Sequence, residues 1–270
     1  MPALLLPRTY FPPHDSNRMD REGDVARARD DFIRTGSRNL RALLRQRFIW
    51  MNDYLRPGQT IVELGCGAGL TQFFINQERI LETDVRPYGW VSACVDALHL
   101  PFASESVDAF ICVNMIHHLA RPAAFLDSIV ECLRPGGVLL IHEPNPSIMM
   151  LCLLRTMRHE GWSLDVDVFD ANGLVNDPAD AWSGNNAVSR LLFHNRDKFA
   201  SRFPRLRIEH DAFTECLLFP LSGGVTAKTW SLELPDSILR MVAQLDALLC
   251  RAAPSVFALG RAVALRKLPA

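Results

Sequence analysis

A glycine-rich turn is the first feature of the chain that could do chemistry, and it follows a short run at residues 61–64 that is apolar apart from Glu63. Glycine occupies every second position of the turn, as Gly65, Gly67 and Gly69. Glycine has no Cβ, so the backbone can turn sharply and a ligand can approach the main chain closely. The dinucleotide fingerprint needs a small residue at position 70, where this chain has Leu70. The turn is therefore typical of a pocket for a nucleoside without a pyrophosphate.

Three polar positions follow the turn, each just after a strand-like run. Asp84 lies at the end of the second predicted strand, where a carboxylate can accept hydrogen bonds from both hydroxyls of a ribose. Asp96 and Ala97 follow the next run, and an acceptor beside a backbone amide suits the edge of adenine. Asn114 follows the run 109–113. The alternatives are a helix N-cap or turn aspartate at Asp84 and an Asx turn at Asp96.

Histidines stand near the ends of the fourth and fifth predicted strands. His117 and His118 follow the fourth, and His142 with Glu143 closes the fifth. Histidine, with a pKa of about 6.5, can serve as a base at neutral pH. The alternatives are buried structural histidines, and a Glu143 that caps the following helix or binds a substrate hydroxyl. Adjacent residues on a helix point about 100° apart, so the pair His117–His118 predicts no metal site.

Short apolar runs and helical patterns alternate through the middle of the chain. The predicted strands cover 60–64, 79–83, 92–95, 107–113, 137–142, 205–219 and 257–266. The predicted helices lie within 19–55, at 69–77, 121–133, 146–158 and 235–252, with a looser turn near 86–91. This alternation predicts an α/β fold of parallel strands with helices on both faces. Arg41, Arg45 and Arg47 fall outside an apolar stripe, which predicts a solvated helix face.

Composition excludes several classes of protein. The 29 basic and 30 acidic residues give a net charge of −1, so no electrostatic argument favours a nucleic-acid partner. The longest apolar run, 148–154, is far below the roughly 20 residues of a membrane span, which leaves only peripheral membrane contact open. The seven cysteines are dispersed without a Cys-x-x-Cys pair, and they predict reduced thiols in a cytoplasmic protein.

The turn and the three polar positions, together with Leu133-Arg134-Pro135-Gly136-Gly137, resemble the class I S-adenosylmethionine-dependent methyltransferases of the small-molecule type. The resemblance covers about 55–145. It implies a Rossmann-like seven-stranded sheet with six parallel strands and the last antiparallel. The residues that it implies for the cofactor are Glu63, Gly65, Cys66 and Gly67 near the methionine part, Asp84 with its neighbour Val85 at the ribose, Asp96 and Ala97 at the adenine, and Asn114 near the sulfonium.

The last two strands of such sheets usually join through a short hairpin, whereas residues 220–256 intervene here. We expect four units: an N-terminal helical extension over 1–56, a cofactor-binding core over 57–145, a helix and lid segment over 146–204, and a C-terminal part over 205–270 that completes the sheet.

A second resemblance extends beyond this core. Its residues are His159-Glu160-Gly161-Trp162, the stretch 165–170, Trp182-Ser183-Gly184-Asn185-Asn186 and the stretch 219–224. They look like a bacterial methyltransferase subgroup associated with surface-polysaccharide and glycolipid assembly, which implies a sugar-like acceptor. Trp162, Trp182, Asn185 and Asn186 would then form a lid that stacks on a sugar ring and hydrogen-bonds to it. The alternative is an ordered surface loop.

The resemblance implies methyl transfer from S-adenosylmethionine to a small or glycan-linked acceptor. The cofactor is already activated, so the protein mainly aligns the reactants and excludes water. An oxygen acceptor must also lose a proton, which makes His142, His117 and Glu143 the catalytic candidates. The alternatives are a non-catalytic binding module and transfer to nitrogen or carbon. Leu70 argues against a nicotinamide-dependent reductase.

Overall fold

The computed structural model describes residues 6–13, 16, 23–158, 160–180, 183–226 and 229–269. The chain begins with the short strand β1 (Thr9–Tyr10), the helices α1 (Val25–Thr35) and α2 (Arg38–Phe48), and a 3-10 helix at Ile49–Tyr54. Side chains cap both helices, because Asp24 accepts the backbone N–H of Arg27 and Ser37 accepts that of Leu40. The N-terminal region therefore forms helices, as its pattern predicts.

The remaining elements follow in chain order: β2 (Ile61–Leu64), β3 (Leu81–Asp84), β4 (Ala93–Cys94), β5 (Val107–Val113), α3 (Pro122–Cys132), β6 (Leu133–Pro144), α4 (Ile148–Met157), β7 (Trp162–Ser163), α5 (Val188–Phe193), α6 (Arg196–Arg202), β8 (Leu206–Thr214), α7 (Leu218–Leu221), α8 (Asp236–Ala252), α9 (Pro254–Phe257) and β9 (Gly260–Lys267). Short 3-10 helices lie at Thr71–Phe73 and Ile116–His118.

Seven of these strands form one sheet, in the order β4-β3-β2-β5-β6-β9-β8. The pairs from β4 to β6 are parallel, and β9 runs antiparallel to both β6 and β8. Six strands are therefore parallel and the last is antiparallel, which confirms the predicted α/β, Rossmann-like sheet. The chain order reverses between β2 and β5, and open α/β sheets bind ligands in the crevice beyond the carboxyl ends of such neighbours.

Two apolar layers cover the two faces of the sheet. Successive side chains of β5 alternate between them, because the side chains of a strand point to opposite faces. Phe110 packs with α3, α5 and α6 in one layer, whereas Ile111 packs with α1 and α2 in the other. Among the described residues, no helix combines the length and the apolar character that crossing a bilayer requires.

The prediction of a helix over 69–77 is wrong, because only the 3-10 turn Thr71–Phe73 forms there. The amide of Asn52 takes the backbone groups that a longer helix would use. Its Oδ1 accepts the N–H of Asn76 at 2.6 Å, and its Nδ2 donates to the carbonyl of Phe74 at 3.1 Å. This tertiary contact competes with the helical hydrogen bonds. The looser helical turn near 86–91 is likewise not helical.

Three helices, α7 to α9, replace the short hairpin between β8 and β9. The buried carboxylate of Asp246 in α8 accepts the backbone N–H groups of Cys216, Leu217 and Leu218 at 2.7–3.1 Å. The helix therefore fixes the loop that follows β8 and that carries Glu215. Glu215 has a φ of 59°, in the left-handed region that non-glycine residues seldom adopt.

Candidate active site

A cavity of about 720 Å³ opens beyond the carboxyl ends of the central strands. Its lining includes all of the predicted cofactor-binding residues: Glu63, Gly65, Cys66, Gly67, Asp84, Val85, Asp96, Ala97 and Asn114. The lining also includes His117, His118 and His142, whereas Glu143 lies behind it. The structure thus gathers these residues around one space whose volume lies within the range of small-molecule and cofactor sites.

The glycine turn borders this cavity in the conformation that only glycine adopts easily. Gly65, Gly67 and Gly69 have φ values of 67°, 50° and 59°. A Cβ built at Gly67 would meet nothing within 4 Å, so the space above it is open. A Cβ at Gly65 would lie 2.5 Å from Cγ of Met115. The turn therefore forms an open cradle whose shape depends on the absence of side chains.

Asp84 connects the cradle to the end of β3. Its Oδ2 accepts the N–H of Gly67 at 2.9 Å, and its Oδ1 accepts the N–H of Arg86 at 3.0 Å. A carboxylate has about four acceptor sites, so both oxygens keep the capacity to accept a ligand hydroxyl. Asp84 therefore lies at the cavity wall with carboxylate oxygens that can still accept hydrogen bonds from ligand hydroxyls.

Asp96 forms an Asx turn, the alternative role that its sequence context allows. Its Oδ1 accepts the N–H of Leu98 at 2.9 Å, and its Oδ2 lies 2.7 Å from Nδ1 of His99. Both carboxylate oxygens of Asp96 therefore already have partners, although the residue lines the cavity together with Ala97.

Glu63 is buried beneath the cradle and accepts a hydrogen bond from the hydroxyl of Thr71. Within the described part of the chain, its Oε2 has no hydrogen-bond partner. Burial, reinforced by the nearby carboxylates of Glu82 and Asp84, raises the pKa of Glu63 to about 8. A buried carboxylate oxygen without a partner is costly, so this position suits a positively charged ligand group.

Glu143 holds the 3-10 helix Ile116–His118 in place. Its Oε1 accepts the backbone N–H groups of Met115 and Ile116 at 2.8 Å, and its Oε2 lies 2.5 Å from Nδ1 of His117. Burial opposes a charge on His117, but the carboxylates of Glu143 and Glu160 outweigh it and raise the pKa of His117 to about 10. His117 therefore keeps its proton at neutral pH, so neither it nor the enclosed Glu143 is suited to act as a general base.

Glu160 is a functional candidate that the residue patterns do not single out. Its Oε2 lies 3.3 Å from Nε2 of His117, and its Oε1 lies 3.5 Å from Nε2 of His118. The two imidazole rings are 4.1 Å apart, so the expectation that these neighbours diverge is wrong. They converge because both rings are anchored through Nδ1, that of His118 to the carbonyl of Ser183 at 3.0 Å. The only sequence signal for Glu160 is its place in the second resemblance.

His142 has a different set of partners. Its Nε2 lies 3.0 Å from Oε1 of Glu215 and 3.1 Å from Oγ1 of Thr214, while its Nδ1 has no partner among the described residues. Arg47 holds Glu215 with two hydrogen bonds of 2.6 and 2.9 Å. Burial opposes ionisation of Glu215, but Arg47 and His142 lower its pKa to about 2. Arg47 is 3% exposed, so its predicted place on a solvated helix face is wrong.

The segment predicted as a sugar-binding lid is anchored rather than open. Trp162 is fully buried, its ring lies 4.9 Å from that of Tyr10, and its indole donates to the carbonyl of Pro7. The prediction that Trp162 stacks on an acceptor is therefore wrong. Asn185 is buried against the backbone of Ser163, which leaves Asn186, a donor to Glu160 at 2.9 Å, on the cavity wall. His159 and Trp182 lie outside the described residues.

Part of the chain, including the glycine cradle, is similar to known proteins. Residues 62–141 match the family described as methyltransferase domain. A probable S-adenosylmethionine-dependent methyltransferase of Mycolicibacterium smegmatis is 34% identical over 100 residues, which cover 33% of this chain and 39% of that protein. A tRNA (carboxymethyluridine(34)-5-O)-methyltransferase of Macaca fascicularis is 36% identical over 100 residues, or 33% of this chain and 15% of that protein. The match thus spans well under half of these curated relatives.

Among solved structures, a S-adenosylmethionine-dependent methyltransferase from Archaeoglobus fulgidus superposes with a TM-score of 0.47 and 15% sequence identity, covering 93% of this chain and 97% of that one. The matched residues 62–141 begin in β2, contain the glycine cradle, Asp84, Asp96 and Asn114, and end in β6. Residues 62–141 of this chain are thus similar to a methyltransferase domain, and the relatives that match this region include a probable S-adenosylmethionine-dependent enzyme.

Proposed function

We propose that the chain transfers the methyl group of S-adenosylmethionine to an oxygen atom of a small or glycan-linked acceptor. The observation that carries this proposal is the shared cavity, which joins the open cradle at Gly67 to the imidazole of His142. The cofactor supplies a methyl group on a positively charged sulfur. The protein has to hold both reactants, exclude water and accept one proton.

The cradle side of the cavity fits the cofactor. The open space over Gly67 admits the adenosine, and Asp84 offers acceptors for the ribose hydroxyls. Oε2 of Glu63, buried and without a partner in the described part of the chain, suits the ammonium group of the methionine moiety. Ala97 and the Asx turn at Asp96 would border the adenine, and Asn114 would lie near the sulfonium, since all three residues line the cavity.

We assign the general base to His142. Nε2–H donates to Glu215, which leaves the lone pair of Nδ1 as the acceptor for a proton from the attacking hydroxyl. Glu215 stays ionised because Arg47 holds it, so it stabilises the imidazolium that forms, as the carboxylate of a catalytic triad does. His117 keeps its own proton and would position the acceptor together with Glu143.

The acceptor side of the cavity has an apolar wall and a polar wall. Met150, Leu154 and Met157 of α4 form the first, and Asn186 and Glu160 belong to the second. This pairing supports a polar, sugar-like acceptor with an apolar part, as the surface-polysaccharide and glycolipid subgroup implies. The balanced charge of the chain supports an acceptor other than nucleic acid, and the seven free cysteines support a cytoplasmic location.

Two measurements test the proposal. Isothermal titration should show binding of S-adenosylhomocysteine and no binding of NADH. Turnover of radiolabelled cofactor should then occur with glycan or glycolipid acceptors and not with tRNA. Cofactor binding without turnover on any acceptor would support a non-catalytic module, and turnover on tRNA alone would replace the glycan assignment.

The affinity for S-adenosylhomocysteine is expected to rise with pH between about 6 and 8, by at most about tenfold per pH unit. Glu63, with a pKa raised to about 8, is neutral over most of this range in the free protein. The cationic amino group of the ligand favours the ionised form, so binding releases a proton. Titration in two buffers of different ionisation enthalpy measures that release. Glu63→Gln should remove both the proton release and the pH dependence, and an unchanged profile in this variant would reject the contact.

A further inference from the structure

We propose that His117, His118 and Glu160 form a binding site for one divalent transition-metal ion on the acceptor side of the cavity. The inference rests on the proposed function only for what the ion would do. The site itself follows from the geometry of these three side chains, whose ligand atoms all lie within 4.8 Å of one another.

The first step of the argument is the direction of the two rings. The carbonyl of Ser183 and the carboxylate of Glu143 can only accept, so each bound Nδ1 carries a hydrogen. The Nε2 atoms of His117 and His118 therefore both turn toward Glu160. Metal-ligating histidines are commonly fixed in this way, by a carboxylate or carbonyl that accepts a hydrogen bond from the other ring nitrogen.

The second step concerns the distances. Two ligand atoms that share an ion at about 2.0–2.2 Å lie roughly 3.0–3.5 Å apart in tetrahedral or octahedral geometry. The Nε2 atoms of His117 and His118 lie 3.3 and 3.5 Å from the two carboxylate oxygens of Glu160. Asn186 donates to Oε2 of Glu160 at 2.9 Å, which orients this carboxylate as well.

The third step is the donor set. An ion between the three groups would replace the proton on Nε2 of His117, and that proton would pass to solvent. Two imidazoles and one carboxylate are a donor set for Zn²⁺, Mn²⁺ or Fe²⁺ rather than for Mg²⁺ or Ca²⁺, which prefer oxygen ligands.

All three ligands line the cavity, so the remaining coordination positions are accessible to an acceptor. A site with three protein ligands and an open position binds and polarises a substrate oxygen. The ion would therefore hold the acceptor hydroxyl and make its proton easier for His142 to accept. This defines the acceptor chemistry as a hydroxyl-bearing, metal-ligating compound.

The test uses the 270-residue chain, stripped of metal with a chelator and titrated with Co²⁺ or Zn²⁺. Isothermal titration and the visible spectrum of bound Co²⁺ are expected to show one site per chain. His118→Ala and Glu160→Gln should abolish the site, and Glu143→Gln should weaken binding by about 10–100-fold through the outer shell. His194→Ala, a change at an exposed histidine, should bind as the unsubstituted protein does.

Thermal unfolding and S-adenosylhomocysteine affinity are measured on each variant as folding controls. The side chain of His118 is 22% exposed, so His118→Ala is the variant whose folding should be disturbed least. No ion bound by the unsubstituted protein, or equal binding in His118→Ala and Glu160→Gln, would overturn the site. Ion binding without S-adenosylhomocysteine binding would instead overturn the proposed function and leave the metal site standing.

Discussion

Replacing His142 with alanine is expected to lower kcat by about 10²–10⁴-fold, the usual contribution of a general base. The affinity for S-adenosylhomocysteine should stay nearly unchanged, because no residue of the glycine cradle contacts this ring by hydrogen bond or ion pair. The variant loses Nδ1, the ring nitrogen that has no partner in the described part of the structure. Single-turnover kinetics and isothermal titration measure the two effects separately.

Two further variants define the role of the pair His142–Glu215. Glu215→Gln should also lower kcat, since the imidazolium of His142 loses its stabilising charge. The dependence of kcat on pH should change in the same variant. His210→Ala is the matched control, because His210 lies in β8, which β9 separates from the strand of His142, and stacks on Trp50 outside the cavity. A His142→Ala variant that loses only cofactor affinity would remove this residue as the base.

Asp84→Ala is expected to weaken binding of S-adenosylhomocysteine by about 5–150-fold, or roughly 1–3 kcal/mol. The change removes acceptors for the ribose hydroxyls. It also releases the N–H of Gly67, which Asp84 holds at 2.9 Å, so the cradle loses a support. Isothermal titration measures the loss, and calorimetric unfolding checks that the variant is folded.

The control for this prediction is Asp127→Ala. Asp127 is an exposed carboxylate that pairs with Arg202 at the protein surface, and its removal should leave cofactor affinity unchanged. Asp84→Asn keeps the shape and one acceptor oxygen, so an intermediate affinity is expected. Equal affinity in the unsubstituted protein and in Asp84→Ala would reject the ribose contact.

The sheet and the cofactor half of the cavity were predictable because their signals are local. A buried parallel strand reads as a near-continuous apolar run, and the strands containing Val62 and Ile111 are apolar apart from one acidic residue each. Gly65 and Gly67 permit the left-handed backbone that the turn adopts, because they carry no Cβ. Strand ends then bring Asp84 to the same edge of the sheet. The helix predicted over 69–77 does not form, because Asn52 binds the backbone there through contacts that no local pattern encodes.

The assignment of a proton acceptor depended on contacts between distant parts of the chain. His117 and His142 are equivalent as residue types, and both follow predicted strands. The fold places His117 between Glu143 and Glu160, whose charges keep it protonated, and places His142 against Glu215, which Arg47 holds ionised. Trp162 was predicted to lie on the surface of a lid, but it is buried because its ring packs against Tyr10.

The sequence by itself determined the type of fold, the cradle and the chemical class of the cofactor, because backbone conformation and strand burial depend on neighbouring residues. Only the tertiary structure decided that Nδ1 of His142 has no partner among the described residues and that His117 and His118 face Glu160. The physical reason is that ionisation depends on burial and on charges within a few ångströms. Those charges come from residues as far apart in the chain as Arg47 and Glu215.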